Sequence, residues 1–252
     1  MPQSKPVEFH YAARSDVGLV RQNNQDSGYA GANLLVLADG MGGPAGGDIA
    51  SSVAMAHLVP LDTDSHPAES LLPLLRDALM DAHEELSERS QHDPELAGLG
   101  TTCIAILRSG RKLAMVHIGD SRVYLWREGR LRRLTRDHSL VQELIDEGEL
   151  TEEEARVHPR KAVITRAVGS YGESTLDTSY VDAREGDTII VCSDGLSDEL
   201  DDSDVSSVIV DVEDGEDEVS LDAVAFALRD VALTRGGRDN VTVALMKIGV
   251  SE

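Results

Sequence analysis

Residues 101–108, 113–118 and 123–127 are three short runs rich in apolar and β-branched side chains, separated only by four-residue gaps holding Ser109-Gly110 and Gly119-Asp120. Gaps this short cannot contain the crossover helix that a parallel strand pair needs. The runs must therefore fold back on one another as an antiparallel meander. Further strand patterns lie at 7–13, 33–38, 175–181, 188–192 and 241–248. Helical periodicity is kept apart from them. Over 68–89 the apolar positions Leu71, Leu75, Ala78, Leu79, Ala82 and Leu86 recur at three- and four-residue steps, and Pro73 falls in the first turn, where it is tolerated. Residues 48–58, an acidic stretch at 201–210, and 219–234 are also read as helical. Clustered strands with segregated helices define an α+β fold, not a doubly wound parallel sheet.

Between the meander and the later strands lies a polar helical insert. Residues 138–147 run helically to Gly148, and Thr151 with Glu154 three residues on forms a capping box opening a second short helix before His158-Pro159. No repeat or interdomain linker interrupts the pattern, since the acidic stretch 211–218 is too short, and residues 1–252 read as one domain. With 41% hydrophobic residues the chain can bury a core. The net charge of -23 opposes a nucleic-acid partner, whose binding rests on Lys and Arg, and suits a protein that collects divalent cations, although it also serves solubility. Cys103 and Cys192 each sit inside an apolar stretch, as small buried hydrophobes of a reducing cytoplasm do. Residues 1–10 lack the apolar core of a signal peptide, and no run is long enough for membrane insertion.

Three segments share one design, an apolar strand that delivers an aspartate into a glycine-containing turn. They end at Asp39-Gly40, at Gly119-Asp120 and at Asp194-Gly195. Taken singly, each is what a hairpin turn looks like. Taken together, they offer the oxygen ligands that Mg²⁺ and Mn²⁺ require. Gly236-Gly237-Arg238-Asp239-Asn240 adds a carboxylate before the last strand. Arg21-Gln22-Asn23-Asn24-Gln25-Asp26 adds another, together with a guanidinium able to hold a phosphate on two donors.

The order of these motifs resembles that of the metal-dependent protein phosphatases, the PPM or type 2C family, over roughly residues 7–248. The resemblance rests on the Arg-x-x-Asn-Gln-Asp run ending at Asp26, Leu37-Ala38-Asp39-Gly40-Met41-Gly42-Gly43, Gly98-Leu99-Gly100-Thr101-Thr102, Gly119-Asp120-Ser121-Arg122, Asp137-His138-Ser139, Cys192-Ser193-Asp194-Gly195-Leu196 and Arg238-Asp239-Asn240. It implies a four-layer α-β-β-α sandwich, two stacked and mainly antiparallel sheets flanked by helices, with the insert at 138–166 as a small flap. It also implies that Asp39 bridges two Mn²⁺ or Mg²⁺ ions, that Asp194 and Asp239 complete one, and that the Gly40 carbonyl binds the other. Asp26 orients metal-bound water, Arg21 holds the phosphate, and Asp120 with Asp194 supports a third ion. The implied reaction is attack of a metal-bridging hydroxide on phosphoserine or phosphothreonine in proteins. The implied partners are bacterial serine/threonine kinases and their substrates, met by a monomer.

Two positions depart from that pattern. Met41 stands where animal members place a histidine that protonates the leaving group, so the resemblance leaves the acid unidentified; His158 of the flap is a candidate, and its plainer reading is a helix end before Pro159. Gln25 stands where many members have glutamate. A catalytically silent regulatory module of the same fold is the alternative reading, opposed by the retention of Asp39, Asp194, Asp239 and Arg21. A nucleotide-binding loop at residues 40–47 is disfavoured, because no Gly-Lys-Ser/Thr ending follows and Pro44 removes a backbone donor.

Overall fold

A computed structural model describes residues 9–43, 46–63, 66–169, 175–215 and 220–249. The expected strand residues 7 and 8, Pro44, the acidic residues 216–218 and the helix start at 219 lie outside the described residues. In chain order, β1 (Phe9–Asp16), β2 (Asp26–Ala30) and β3 (Leu34–Met41) precede helices α1 (Gly47–Leu58) and α2 (Leu71–His92). Then follow β4 (Gly100–Thr101), β5 (Cys103–Ser109), β6 (Lys112–Ile118), β7 (Arg122–Arg127) and β8 (Arg130–Arg133). The insert carries α3 (Leu140–Asp146) and α4 (Glu152–Arg156), and β9 (Val168–Gly169), β10 (Asp177–Val181) and β11 (Thr188–Cys192) come next. The chain closes with α5 (Asp194–Ser197), α6 (Asp202–Gly215), α7 (Leu221–Arg235) and β12 (Val241–Ile248).

Every strand pairing is antiparallel. One sheet runs β1-β12-β11-β7-β8. The other runs β10-β6-β5-β3-β4-β9, with β2 also on β3. The period-two alternation of side chains sorts each strand between two interiors. Leu35 and Leu37 of β3, Ile104 and Ile106 of β5, Ile189 and Val191 of β11, and Ala244 and Met246 of β12 meet in the layer between the sheets. The alternate residues Leu34, Val36, Ala105 and Leu107 pack outward against Val53 of α1 and Leu75, Leu79 and Leu86 of α2. On the opposite face Ile190, Cys192, Val243 and Leu245 pack against Val205 and Ile209 of α6 and Leu228 of α7. The result is the expected α-β-β-α stack.

Only the first half of the expected meander forms: β5 and β6 pair as a hairpin, but the Gly119-Asp120 turn carries the chain across to the other sheet, where β7 pairs with β8 and β11 instead of β6. Strands β11 and β12 have the expected bounds. The insert also closes as its residues dictate. Thr151 Oγ1 accepts from Glu154 N at 3.2 Å while Thr151 N donates to Glu154 Oε2 at 2.8 Å, both halves of the capping box. Strand β2 escapes the sequence reading because Asp-Ser-Gly-Tyr-Ala has no apolar alternation and is held extended by its partner β3. Strand β8, Arg-Leu-Arg-Arg, is a polar sheet edge of the same kind. Truncating the inter-sheet layer by Leu37→Ala is expected to cost about 2–5 kcal/mol, the range for a fully buried leucine, read as a lower urea midpoint at unchanged slope.

Candidate metal centre

The two sheets present their aspartates at one rim. Asp39 lies near the end of β3, directly across the ladder from Asp26 of β2. Asp194 follows β11 at the start of α5, and Asp239 precedes β12. Because β11 and β12 are antiparallel neighbours, with Cys192 opposite Val243, the end of one meets the beginning of the other. Asp120 occupies the turn where the chain passes from β6 in one sheet to β7 in the other. Gly119 holds that turn at φ 108°, and a Cβ there would stand 2.5 Å from the Thr102 side chain.

Hydrogen bonds fix the backbone beneath these carboxylates. Thr102 N and Thr101 Oγ1 both donate to the Asp39 carbonyl at 2.8 Å, and Asp39 N donates to Thr102 Oγ1 at 3.1 Å. Thr102 Oγ1 meets Ser121 Oγ at 2.8 Å, tying the Asp39 strand to the Asp120 turn. Asn240 anchors the loop between β1 and β2. Its Nδ2 donates to the carbonyls of Val17 and Asn23 at 2.9 Å, and its Oδ1 accepts from Gln25 N at 2.9 Å. Ser193 Oγ donates to Asp26 Oδ2 at 2.7 Å and accepts from Thr242 N at 3.0 Å. These residues lay inside the quoted motifs, yet sequence reasoning gave them no role. The available signal was a hydroxyl or amide set immediately beside a strand-end aspartate.

Burial and crowding set the electrostatics. Desolvation, then the hydroxyl bonds that oppose it and repulsion from Asp194 and Asp239, leaves the Asp26 carboxyl at about 7. Asp194 is lifted to about 6 by burial and then by Asp239 and Asp198, against a hydrogen bond from Asp39 that pulls the other way. Asp39 and Asp120 are pushed well above the ordinary carboxylate range, first by burial and then by the neighbouring aspartates. Among the described residues, Asp26 Oδ1 and Asp120 Oδ1 are buried without a hydrogen-bond partner. Arg21 reaches this group, its Nη2 donating to Asp239 Oδ2 at 2.6 Å with half of its side chain exposed. Crowded oxygens, two of them orphaned, are the donor set that a hard divalent cation takes.

A cavity of about 510 Å³ opens beside the centre, walled by Asp120 and Asp194, by Gln142 and Ile145 of the insert, and by Lys161 and Asp198. The ammonium of Lys161 pairs with Asp198, linking the insert to that wall. The structure thus brings together Arg21, Asp26, Asp39, Asp120, Asp194 and Asp239. His158 is not among them. Its recorded hydrogen bonds stay in the insert, where its N donates to the Ala155 carbonyl and its Nδ1 accepts from Arg160 N, both at 3.2 Å. Gly40 is set where its backbone passes that of Gly47, so closely that an added Cβ would lie 1.8 Å from the Gly47 carbonyl. The Gln25 amide is spent on the glycine-rich loop, donating to the Gly43 carbonyl at 2.9 Å.

Residues 14–228 match the sequence model described as Protein phosphatase 2C, and the chain belongs to that family. It is 46% identical over 241 residues to the serine/threonine protein phosphatase PstP of Mycobacterium tuberculosis, covering 95% of this chain and 45% of that protein. The chain thus spans a little under half the length of that relative. It is 33% identical over 247 residues to the serine/threonine phosphatase stp of Listeria monocytogenes, covering 95% and 96% of the two chains. The solved structure of M. tuberculosis PstP superposes with a TM-score of 0.88 at 43% identity, covering 96% of this chain and 100% of that one. The catalytic domain of PstP in complex with two manganese ions superposes with a TM-score of 0.86 at 43% identity, covering 97% and 100%.

Proposed function

We propose that this chain hydrolyses phosphoserine and phosphothreonine in proteins with Mn²⁺ or Mg²⁺ as cofactor. The observation that carries the reading is the convergence of Asp26, Asp39, Asp120, Asp194 and Asp239 at one rim, with the half-exposed Arg21 beside them. Asp39, Asp194, Asp239 and the Gly40 carbonyl would hold the central pair of ions. Asp120 with Asp194 would hold a third. Divalent ions bound there lower the pKa of water and offset charge on phosphoryl oxygens.

The remaining work belongs to the chain's own groups. Arg21 presents a planar fork of donors, part of it held by Asp239 and the rest turned outward, which suits bidentate capture of phosphate. Ser193 fixes one oxygen of Asp26 and leaves the other free to orient water. The insert at 138–166 forms one side of the cleft through which a phosphorylated side chain enters. His158 remains the candidate acid for the leaving oxygen, supported by its place in that insert close to Lys161. Since its Nδ1 accepts a backbone N–H, Nε2 is the atom that would carry the proton. By the family resemblance, autophosphorylated bacterial serine/threonine kinases are the first partners to test.

Phosphopeptides differing only in the acceptor residue test the assignment. With Mn²⁺ present, phosphoserine and phosphothreonine peptides are expected to exceed phosphotyrosine by about tenfold or more in kcat/KM, and chelation removes the activity. The reverse ranking removes the assignment. Silence with every divalent metal favours a regulatory module instead.

A further inference from the structure

His117 lies in β6, 1% exposed. One ring nitrogen hydrogen-bonds to the backbone of Ser121, while Nε2 is buried with no hydrogen-bond partner among the described residues. Burial, and then the neighbouring His138, hold its pKa down to about 4, so near neutral pH the ring is uncharged and Nε2 carries a free lone pair. A buried nitrogen in this state is costly unless something occupies it. The His138 ring stands alongside at 4.7 Å between centroids. Its Nδ1 accepts from Gly119 N at 3.1 Å, and its Nε2 faces Asp177 Oδ2 at 3.1 Å. Asp177 of β10 is the direct cross-strand neighbour of His117. One ligand atom from each of the three residues lies within 4.8 Å of the others.

We propose that His117, His138 and Asp177 form a second metal site, of zinc type, separate from the aspartate centre. Two imidazoles and one carboxylate suit a borderline-soft ion and are a poor set for Mg²⁺. Ligand atoms on one tetrahedral zinc stand about 3.4 Å apart, as His138 Nε2 and Asp177 Oδ2 nearly do already, so closure needs the wider spacing of up to 4.8 Å to shrink by about 1.4 Å at most, and the half-exposed Asp177 is free to take part in that shift. Its exposure also opens the fourth position to water. Arg166 opposes the ion, with Nη1 at 3.3 Å from both His138 Nε2 and Asp177 Oδ1, and must swing outward for binding.

Occupancy has a consequence at the other centre. When His138 Nε2 ligates an ion, the ring's remaining proton sits on Nδ1, where it confronts Gly119 N–H, and that hydrogen bond is lost. Gly119 precedes Asp120, and His138 and Arg166 are the two ends of the insert. Zinc therefore inhibits from a site of its own, by disturbing the Asp120 turn and the base of the insert.

The test titrates zinc into the Mn²⁺-saturated chain, counts retained metals after gel filtration, and records zinc X-ray absorption. One zinc with two imidazole ligands is expected beside unchanged manganese. Asp177→Asn, on an exposed sheet edge, is expected to weaken zinc retention by about tenfold or more and to relieve zinc inhibition, and Arg166→Gln to strengthen retention. His117→Gln, checked for folding by circular dichroism, should behave as Asp177→Asn does. Equal retention in the parent chain and Asp177→Asn, or an all-oxygen zinc shell, overturns the proposal. The metal count does not use turnover, so its outcome is independent of the phosphatase reading.

Discussion

Asp239→Ala is expected to lower Mn²⁺-dependent hydrolysis of p-nitrophenyl phosphate by about 10²–10³-fold or more, the loss seen when a preorganised charge-stabilising group is removed. Two functions go at once, because this carboxylate is both a proposed metal ligand and the anchor of Arg21. The fold should not suffer. The Asp239 side chain is one third exposed, and its charge raises Asp26, Asp39 and Asp194. Removing it relieves repulsion, so the chelated variant should unfold at a urea concentration no lower than the chelated parent. Arg21→Ala separates the two functions, since it should raise KM while leaving metal content intact. An Asp239→Ala protein with full turnover would sink the proposed centre; one that has simply unfolded would show in the urea midpoint.

In chelator, the protein is expected to lose stability as pH rises. Asp26 at about 7 and Asp194 at about 6 in the folded state, with Asp39 and Asp120 also raised, compare with about 4 for an unfolded aspartate. Between these limits the folded chain binds more protons than the unfolded one, and stability then falls with increasing pH. Its contribution is present in full below about pH 4 and is lost as pH passes through about 7. From about pH 5 to about pH 7.5 the Tm in chelator should drop by about 5 °C or more. Saturating Mn²⁺ should reverse the slope, because an ion competes with protons for the same oxygens. A flat or rising Tm in chelator would show that these carboxylates are not crowded as described.

The strands that carry the site were legible because each is an apolar run bounded by glycine, and the sandwich interior has room for little else. The aspartates were legible as strand ends. Their convergence was implied only by the order of the motifs, not by the residues themselves, since it depends on β11 and β12 being antiparallel neighbours and on Asp26 facing Asp39 across a ladder whose other strand carries no apolar signal. Asn240, Ser193 and Thr102 were hidden for a related reason: a side chain that holds backbone looks, in sequence, like any other turn residue. His158 is a different case. Its position before Pro159 was read correctly as a helix end, and nothing local could say that its hydrogen bonds would remain there.

Asp26 and Asp39 ride on one sheet and Asp194 and Asp239 on the other, with Leu35, Leu37, Ile189 and Val191 filling the gap between. The interior is thus a calliper whose jaws end in carboxylates. Its thickness sets how far apart the two pairs of carboxylates stand, so a methylene gained or lost in the oily middle is expected to register at the rim as a change in bite. In this chain, packing and carboxylate spacing are one variable measured at two ends.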